Sequence, residues 1–302
     1  MVPGDIKLTS TCTLDEKHGL KSSPPRAGAA GRSIDLSSGV MFDELGDGVY
    51  RRRYESLDLN IGVVVGVDGV LIVDTRASHR QADELREELR RLTDLPVRWV
   101  INTHWHWDHC FGNARFDAAE VWGHELCQTA LEVRGEEMKA AAKQWLPPET
   151  HQLIDEVVIK APNETFSERA SLDIGRTIEM SYHGLAHTDA DIVVRVLDAS
   201  VGFLGDLVEE GGPPSFGDSH PVAWPLTLMR ATADLPGVVV PGHGDIVDRS
   251  FVQSQHEELV AVAELATSFV TGEISLDEAS GGGPYPEEVM RGAMIRAQAT
   301  HH

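Results

Sequence analysis

A run of ligand-type side chains, His104-Trp105-His106-Trp107-Asp108-His109, restricts the fold more than any other part of the sequence. It directly follows an apolar segment over residues 97–102 that predicts a short buried strand. Alternate side chains of an extended chain face the same side, so His104, His106 and Asp108 can converge, with His109 at the following turn. Imidazoles and carboxylates at this spacing suit a zinc-like cation. The competing interpretation, an aromatic loop with solvated histidines, is disfavoured because four ligand-type residues in six rarely arise by chance.

Three more ligand-type residues stand at or soon after the ends of other apolar segments. His187 follows a predicted strand, Asp206 closes residues 201–205, and His243 closes residues 238–242. Each of them alone is more typical of a surface or capping residue. Together with the first run they form a set at strand ends, where functional side chains concentrate on rigid sheets. The set predicts a metal site.

Apolar periodicity indicates strands and helices in alternation along both halves of the chain. Residues 60–67 and 70–74, on either side of Asp68-Gly69, predict a β-hairpin, and residues 80–92 predict a helix capped by Ser78. Further strands are predicted over 48–54, 97–102, 120–122, 176–182, 191–197, 200–204 and 238–240, and further helices over 125–143, 225–233, 250–271 and 287–299. This alternation favours an α/β fold with helices packed outside sheets.

Composition disfavours several function classes. The 302 residues carry 26 Lys and Arg against 48 Asp and Glu, and the net charge of −22 disfavours nucleic-acid binding because a polyanion is repelled. No apolar run of about 18 residues predicts a membrane span, and the first residues lack the pattern of a secretory signal. Three cysteines are too few for a disulfide framework. We therefore expect a cytoplasmic protein with a small-molecule substrate and neither nucleic acid nor a membrane as partner; its oligomeric state is not predicted.

Four segments resemble the successive metal motifs of the metallo-β-lactamase superfamily, in the family's order and approximate spacing. They are Thr103-His104-Trp105-His106-Trp107-Asp108-His109, His187-Thr188, Phe203-Leu204-Gly205-Asp206 and Gly242-His243-Gly244. The resemblance implies a four-layer αβ/βα sandwich, of the α/β (α+β) class, with the site at one edge between two sheets.

The expected domain organisation combines this resemblance with composition. Residues 1–36 are rich in Ser, Pro, Gly and Ala and predict a flexible leader. Residues 37–272 are expected to form the metallo-β-lactamase-fold domain. Residues 273–302 are expected to form a linker, with Gly281-Gly282-Gly283, and a last helix.

Carried over residue by residue, the resemblance implies a ligand set for two metal ions. His104, His106 and His187 would hold the first ion, Asp108, His109 and His243 the second, and Asp206 would bridge the two. Two Zn²⁺ per chain are expected, with iron or manganese as alternatives. Two metals about 3.5–4 Å apart can share a hydroxide whose pKa falls to about 7. Asp108 is the candidate catalytic residue, which orients the hydroxide and passes a proton to the leaving atom.

These implications favour a metal-dependent hydrolase of an ester, lactone, thioester or amide, with weak β-lactamase activity as a compatible side reaction. Zinc β-lactamases of the thiolate type have Cys in place of Asp206 and a cation three residues later. Here Glu209 and Glu210 would instead repel a substrate carboxylate. Two alternatives stay open: an oxidoreductase similar to the persulfide dioxygenases, with one iron, and a non-catalytic metal-binding protein.

Several residues near the motifs have expected supporting roles. Thr188 and Asp191 are expected to tie ligand loops together by hydrogen bonds. His220, at the end of a loop rich in Gly and Pro, is a candidate for the rim of the site. Cys110 is expected to be a small buried residue rather than a ligand. The two tryptophans of the first run are expected either to line the substrate pocket or to pack in the core.

Overall fold

The structure is a computed structural model that describes residues 32–35, 41–234 and 237–301. Most of the predicted leader, and Cys12 with it, lies outside the described residues. Within the segment predicted as leader, Arg32–Asp35 forms a strand that pairs with Met41–Gly46.

Thirteen strands and eight α-helices follow one another along the described part of the chain. The strands are β1 Arg32–Asp35, β2 Met41–Gly46, β3 Val49–Tyr54, β4 Leu59–Val65, β5 Val70–Val73, β6 Val97–Ile101, β7 Glu120–His124, β8 Glu164–Phe166, β9 Arg169–Asp173, β10 Thr177–Tyr182, β11 Ile192–Val196, β12 Val201–Glu209 and β13 Val238–His243. The helices are α1 His79–Leu92, α2 Trp107–Cys110, α3 Glu125–Trp145, α4 His151–Asp155, α5 Trp224–Ala231, α6 Arg249–Val270, α7 Leu276–Gly281 and α8 Glu287–Thr300.

The strands form two half-sheets that meet at one narrow junction. One half has the order β8-β7-β6-β5-β4, with β3, β2 and β1 continuing from β4, and the other has the order β13-β12-β11-β10-β9. β4 and β13 join the halves through one antiparallel pair, His243 with Leu59. The side chain of Asn60 reinforces this junction, because its amide donates to the carbonyls of Pro241 and Gly244, each at 3.0 Å.

Side-chain alternation along the strands divides the molecule into four layers. On β5, Leu71 and Val73 face a core between the half-sheets that also contains Ile178 and Phe203 of the other half. The alternate residues of β5 pack with α1 on the outer face. The outer face of the second half packs against α5, α6, α7 and α8. This arrangement confirms the predicted four-layer αβ/βα sandwich.

Segments with strong apolar periodicity form the predicted elements. The β4–β5 hairpin is antiparallel, and α1 begins after Ser78, whose hydroxyl accepts from the backbone N–H of Gln81 at 3.3 Å. By contrast, the strands β8 and β9, which lie at opposite ends of the strand order, were not predicted. The residues of β9 alternate between exposed and half-buried positions on a polar edge strand, so the segment lacks the apolar signal of a buried strand.

The C-terminal helices pack into the core of the second half. Met290, Ala293, Met294 and Ala297 of α8 are buried with residues of α6 and β12.

Among the helices of the described ranges, none combines the length and the apolar composition that a membrane span requires.

Gly62 of β4 allows Phe203 to pack tightly between the half-sheets. A Cβ at Gly62 would lie 2.6 Å from the Phe203 ring, which is buried. We therefore expect Gly62→Ala to lower the free energy of unfolding by about 1–3 kcal/mol, measured by urea denaturation. Gly292→Ala on α8 is the control, since a Cβ at Gly292 would have no neighbouring atom within 4 Å and alanine favours helix. That control should stabilise by about 0.5–1 kcal/mol; equal effects of the two variants would contradict this packing.

Candidate metal centre

The predicted ligands meet at the edge of the sandwich where the two half-sheets join. Each of them stands on a loop or element that the sheets hold in place: His104 and His106 after β6, Asp108 and His109 in α2, His187 after β10, Asp206 within β12 and His243 at the end of β13. The structure brings all of these side chains together. They form two groups in which the potential ligand atoms lie within 4.8 Å of one another: His104, His106, His187 and Asp206, and Asp108, His109 and His243.

Asp206 lies between the two groups. Its Oδ2 is 3.6 Å from His104 Nε2 and 3.4 Å from His243 Nε2, and its Oδ1 is 3.3 Å from His109 Nε2. One carboxylate therefore faces imidazoles of both groups, as expected of a bridging ligand.

The local backbone of β12 differs from the prediction at Asp206. The sequence predicts that Asp206 closes the strand, whereas β12 continues to Glu209. The pairing of β12 with β13 shifts register at Gly205, which has φ +52°. This is the left-handed conformation that glycine adopts easily. Such an irregularity within a strand changes the direction of a neighbouring side chain, here that of Asp206.

Buried polar atoms in the site lack hydrogen-bond partners among the described residues. They include His104 Nε2 and Asp206 Oδ1. An unsatisfied buried donor or acceptor costs about 1–3 kcal/mol, so such atoms need another partner. A metal cation is a partner that suits both imidazole nitrogen and carboxylate oxygen. The residues present therefore fit a bound metal.

Burial and neighbouring charges both shift the pKa values of the site residues. Burial lowers the pKa of His104 well below its ordinary value, which keeps this imidazole neutral and able to ligate. Burial acts in the same direction on His187, but Asp206 and Asp191 outweigh it and raise the pKa of His187 to about 9. Burial raises the pKa of Asp206, but His109 and other imidazoles outweigh it and hold that pKa well below its usual range. Positive charge is thus strongly favoured beside Asp206.

The ligand residues open onto a cavity of about 650 Å³. His106, Asp108, His187, Asp206 and His243 line its floor. Both tryptophans of the first run, Trp105 and Trp107, also line this cavity, although Trp105 is buried in the protein core as well.

The family model of the metallo-β-lactamase superfamily matches residues 57–243, a span that contains all the candidate ligands. The chain belongs to the metallo-β-lactamase superfamily. Members of this superfamily are mostly hydrolases, and the fold with its His and Asp groups implies bound metal ions.

Individual relatives are distant. The linear primary-alkylsulfatase of Pseudomonas sp. (strain ATCC 19151) is 22% identical over 240 residues, covering 67% of this chain and 44% of the relative. The chain therefore spans less than half the length of that curated relative. Three solved structures each match 76% of this chain: DIM-1 metallo-β-lactamase (19% identity, TM-score 0.55, 97% of its length), a metallo-β-lactamase from Pontibacter korlensis (21%, 0.56, 98%) and TMB-1 (21%, 0.58, 99%). At sequence identities of 19–21%, the similarity to these three structures shows a shared fold only.

Asp74 is a supporting residue of this metallo-β-lactamase fold that was not predicted from the sequence. Its Oδ2 accepts from the Thr103 hydroxyl and faces His109 Nδ1, both at 2.8 Å, and its Oδ1 accepts from the Thr103 backbone N–H at 2.8 Å. Its φ is +67°, an uncommon value for a residue with a side chain. Its position directly after β5, at the same edge as the ligands, is the signal that could have identified it.

The predicted support by Thr188 and Asp191 agrees with the geometry. Asp191 Oδ2 accepts from the Thr188 backbone N–H at 2.5 Å, and Asp191 Oδ1 lies 3.4 Å from His187 Nδ1. Asp191 thereby fixes the loop that carries His187 and places a carboxylate oxygen beside its ring.

A second support, unpredicted from the sequence, comes from the loop after β12. Asp218 Oδ2 lies 3.3 Å from His106 Nε2. The loop is tied to α8, because Arg296 donates to the carbonyls of Ser219 at 2.8 Å and Asp218 at 2.9 Å. The C-terminal helix thus helps to position a carboxylate against a candidate ligand.

Two other candidates lie outside the site. Cys110 is buried, its thiol donates to the carbonyl of His106 at 3.0 Å, and burial raises the pKa of that thiol well above its ordinary value. These properties fit the expected packing role. His220 does not line the cavity; its backbone N–H donates to the carbonyl of Ala186 at 2.7 Å, in the loop that carries His187.

We expect Asp74→Asn to weaken metal binding, because an amide in place of the carboxylate removes the charge that orients His109. Removal of such an outer partner lowers metal affinity about 10–100-fold, measurable by competition with a chromogenic chelator. Asp68→Asn is the control, since its carboxylate pairs with Arg98 at an exposed turn, 2.9 Å apart. An affinity of Asp74→Asn equal to that of the control would disprove the supporting role.

Proposed function

We propose that this protein is a hydrolase that uses two divalent metal ions, expected to be zinc, to cleave an ester, lactone, thioester or amide. The observation that carries the proposal is Asp206, a buried carboxylate shared by two groups of imidazole and carboxylate ligands on the floor of one cavity. A two-metal site of this kind is typical of hydrolytic chemistry.

The ligand roles that we propose follow the two groups in the structure. His104, His106 and His187 would hold one ion, Asp108, His109 and His243 the other, and Asp206 would contact both. Metal ions bound there would supply Lewis acidity and a water molecule that ionises near neutral pH.

Asp108 is the proposed catalytic residue. It lines the cavity, and its Oδ2 lies 3.4 Å from His243 Nε2. Burial raises the pKa of Asp108, but His109 and His243 outweigh it and lower that pKa to about 2. The carboxylate is therefore ionised at neutral pH, can accept a hydrogen bond from the attacking water, and can pass the proton on to the leaving atom.

Acidic residues that line the cavity restrict the substrate. Asp58, Glu209 and Glu210 line the cavity together, and the two glutamates are those that were expected from the sequence to repel a substrate carboxylate. Burial and Asp206 raise the pKa of Glu209 to about 7, and Asp58 pairs with Arg53, so Glu210 and the partly ionised Glu209 are the groups that would repel a substrate carboxylate. Efficient turnover of β-lactams, which carry such a carboxylate, is therefore not expected.

A second candidate reaction is the hydrolysis of a sulfate ester. It is favoured by the similarity to an enzyme named as a linear primary-alkylsulfatase. Release of inorganic sulfate from short alkyl sulfates distinguishes this reaction from carboxyl-ester hydrolysis by the same site.

We expect Asp108→Ala to abolish ester or thioester turnover, with a loss of at least about 10²–10⁴-fold in kcat, because the proton acceptor is removed. Circular dichroism should show an unchanged fold. The control is Asp117→Ala, at an exposed position shortly after helix α2, which contains Asp108; this variant should keep full activity. Undiminished turnover by Asp108→Ala would refute the proposed mechanism.

A further inference from the structure

Helix α3 presents one stripe of side chains to the cavity. Arg134, Glu137, Met138, Ala141 and Trp145 line the cavity at intervals of three, one, three and four residues, which places them on one helix face. From Met138 onward this stripe is apolar. Trp107 of the ligand run lines the same cavity, so the apolar surface continues from α3 to the candidate metal ligands.

Trp145 is not explained by the packing of the fold. At 77% relative exposure it is the most exposed aromatic side chain in the described part of the chain, and it ends α3. Met138, one end of the apolar stripe, is 5% exposed and belongs to the core beneath. An exposed indole that continues a buried apolar surface inside a cavity is typical of a ligand-binding wall.

A further apolar side chain, from outside α3, lines the cavity near the metal ligands. Leu57 lines the cavity with φ +64°, a left-handed conformation that is strained for leucine. The Leu57 carbonyl accepts from His243 Nδ1 at 2.7 Å. The strained backbone thus holds a metal-ligand candidate and places an aliphatic side chain in the cavity.

The charged residues that line the cavity disfavour an ionised chain. Arg134 is the only Lys or Arg among the described residues that line the cavity, and its guanidinium stacks over Trp105, 4.9 Å from the ring centre. Glu137, Glu209 and Glu210 line the same cavity, and burial raises the pKa of Glu209 to about 7. An anionic tail would meet repulsion there, whereas an uncharged apolar tail would bury the exposed indole.

We propose that the α3 stripe, Met138, Ala141 and Trp145 with Trp107, binds the uncharged hydrocarbon chain of an ester substrate whose ester group lies at Asp108 and Asp206. This assignment rests on the proposed hydrolase function. The stripe from Met138 to Trp145 extends about 10 Å at 1.5 Å per residue. A straight acyl chain of about eight carbons spans that length.

A chain-length series tests the proposal with the zinc-loaded full-length protein. We expect kcat/KM for p-nitrophenyl esters to rise from the acetyl to the octanoyl ester, by up to about fourfold for each methylene that is buried. Trp145→Ala should reduce the octanoyl-to-acetyl ratio of kcat/KM at least about tenfold, because much of the apolar wall is lost. Trp145→Phe should retain most of the ratio.

Val133→Ala is the matched control. Val133 lies on α3 with 74% exposure but does not line the cavity, so its removal should leave the ratio unchanged. A ratio that is the same in wild type, Trp145→Ala and Val133→Ala would overturn the apolar subsite while leaving the hydrolase function standing.

Binding of non-hydrolysable phosphonates separates failure of the subsite from failure of the hydrolase. Decylphosphonate should bind the zinc-loaded protein more tightly than methylphosphonate by calorimetry, and Trp145→Ala should remove that preference. This preference without turnover of any ester, lactone, thioester or amide would support the subsite and refute the proposed hydrolase function. Equal binding of the two phosphonates would overturn the subsite whether or not esters are cleaved.

Discussion

The shared carboxylate of Asp206 is the interaction around which the site is organised. A buried carboxylate is stable only where positive charge or hydrogen bonds compensate for its lost hydration. Imidazoles of both ligand groups surround Asp206, with His109 and His243 each within 3.4 Å of one of its oxygens. Other carboxylates and carbonyls hold those imidazoles in place. The protein therefore fixes a cluster of ligand groups whose negative charge two cations would compensate.

The architecture places this charge at the weakest point of the sheet. The half-sheets join through one residue pair, and His243 is a member of that pair as well as a candidate ligand. Asn60 spans the same junction through its side-chain amide. The site therefore depends on the two halves keeping their relative position, and a bound ion ligated from both halves would in turn hold them together.

The sequence was informative where chemistry and periodicity coincide. The ligand run after β6, and the helix α1 with its serine cap, are local patterns with a direct physical meaning. The supporting residues could not be predicted in the same way, because their roles depend on contacts between distant segments. Arg296 reaches a loop 77 residues earlier in the chain, and Asp74 holds a histidine 35 residues later. The register shift at Gly205, just before Asp206, was not predicted, because the apolar residues Leu204 and Leu207 on either side do not mark the change in strand pairing.

The shared role of Asp206 is best tested by the metal content of the purified, untagged protein, measured by mass spectrometry for zinc, iron and manganese, in wild type and Asp206→Asn. We expect about two zinc ions per wild-type chain and a loss of both in the variant, because one carboxylate serves both ions. A single iron would redirect attention to sulfur oxygenation, and a variant that retains two zinc ions would contradict the central role of Asp206.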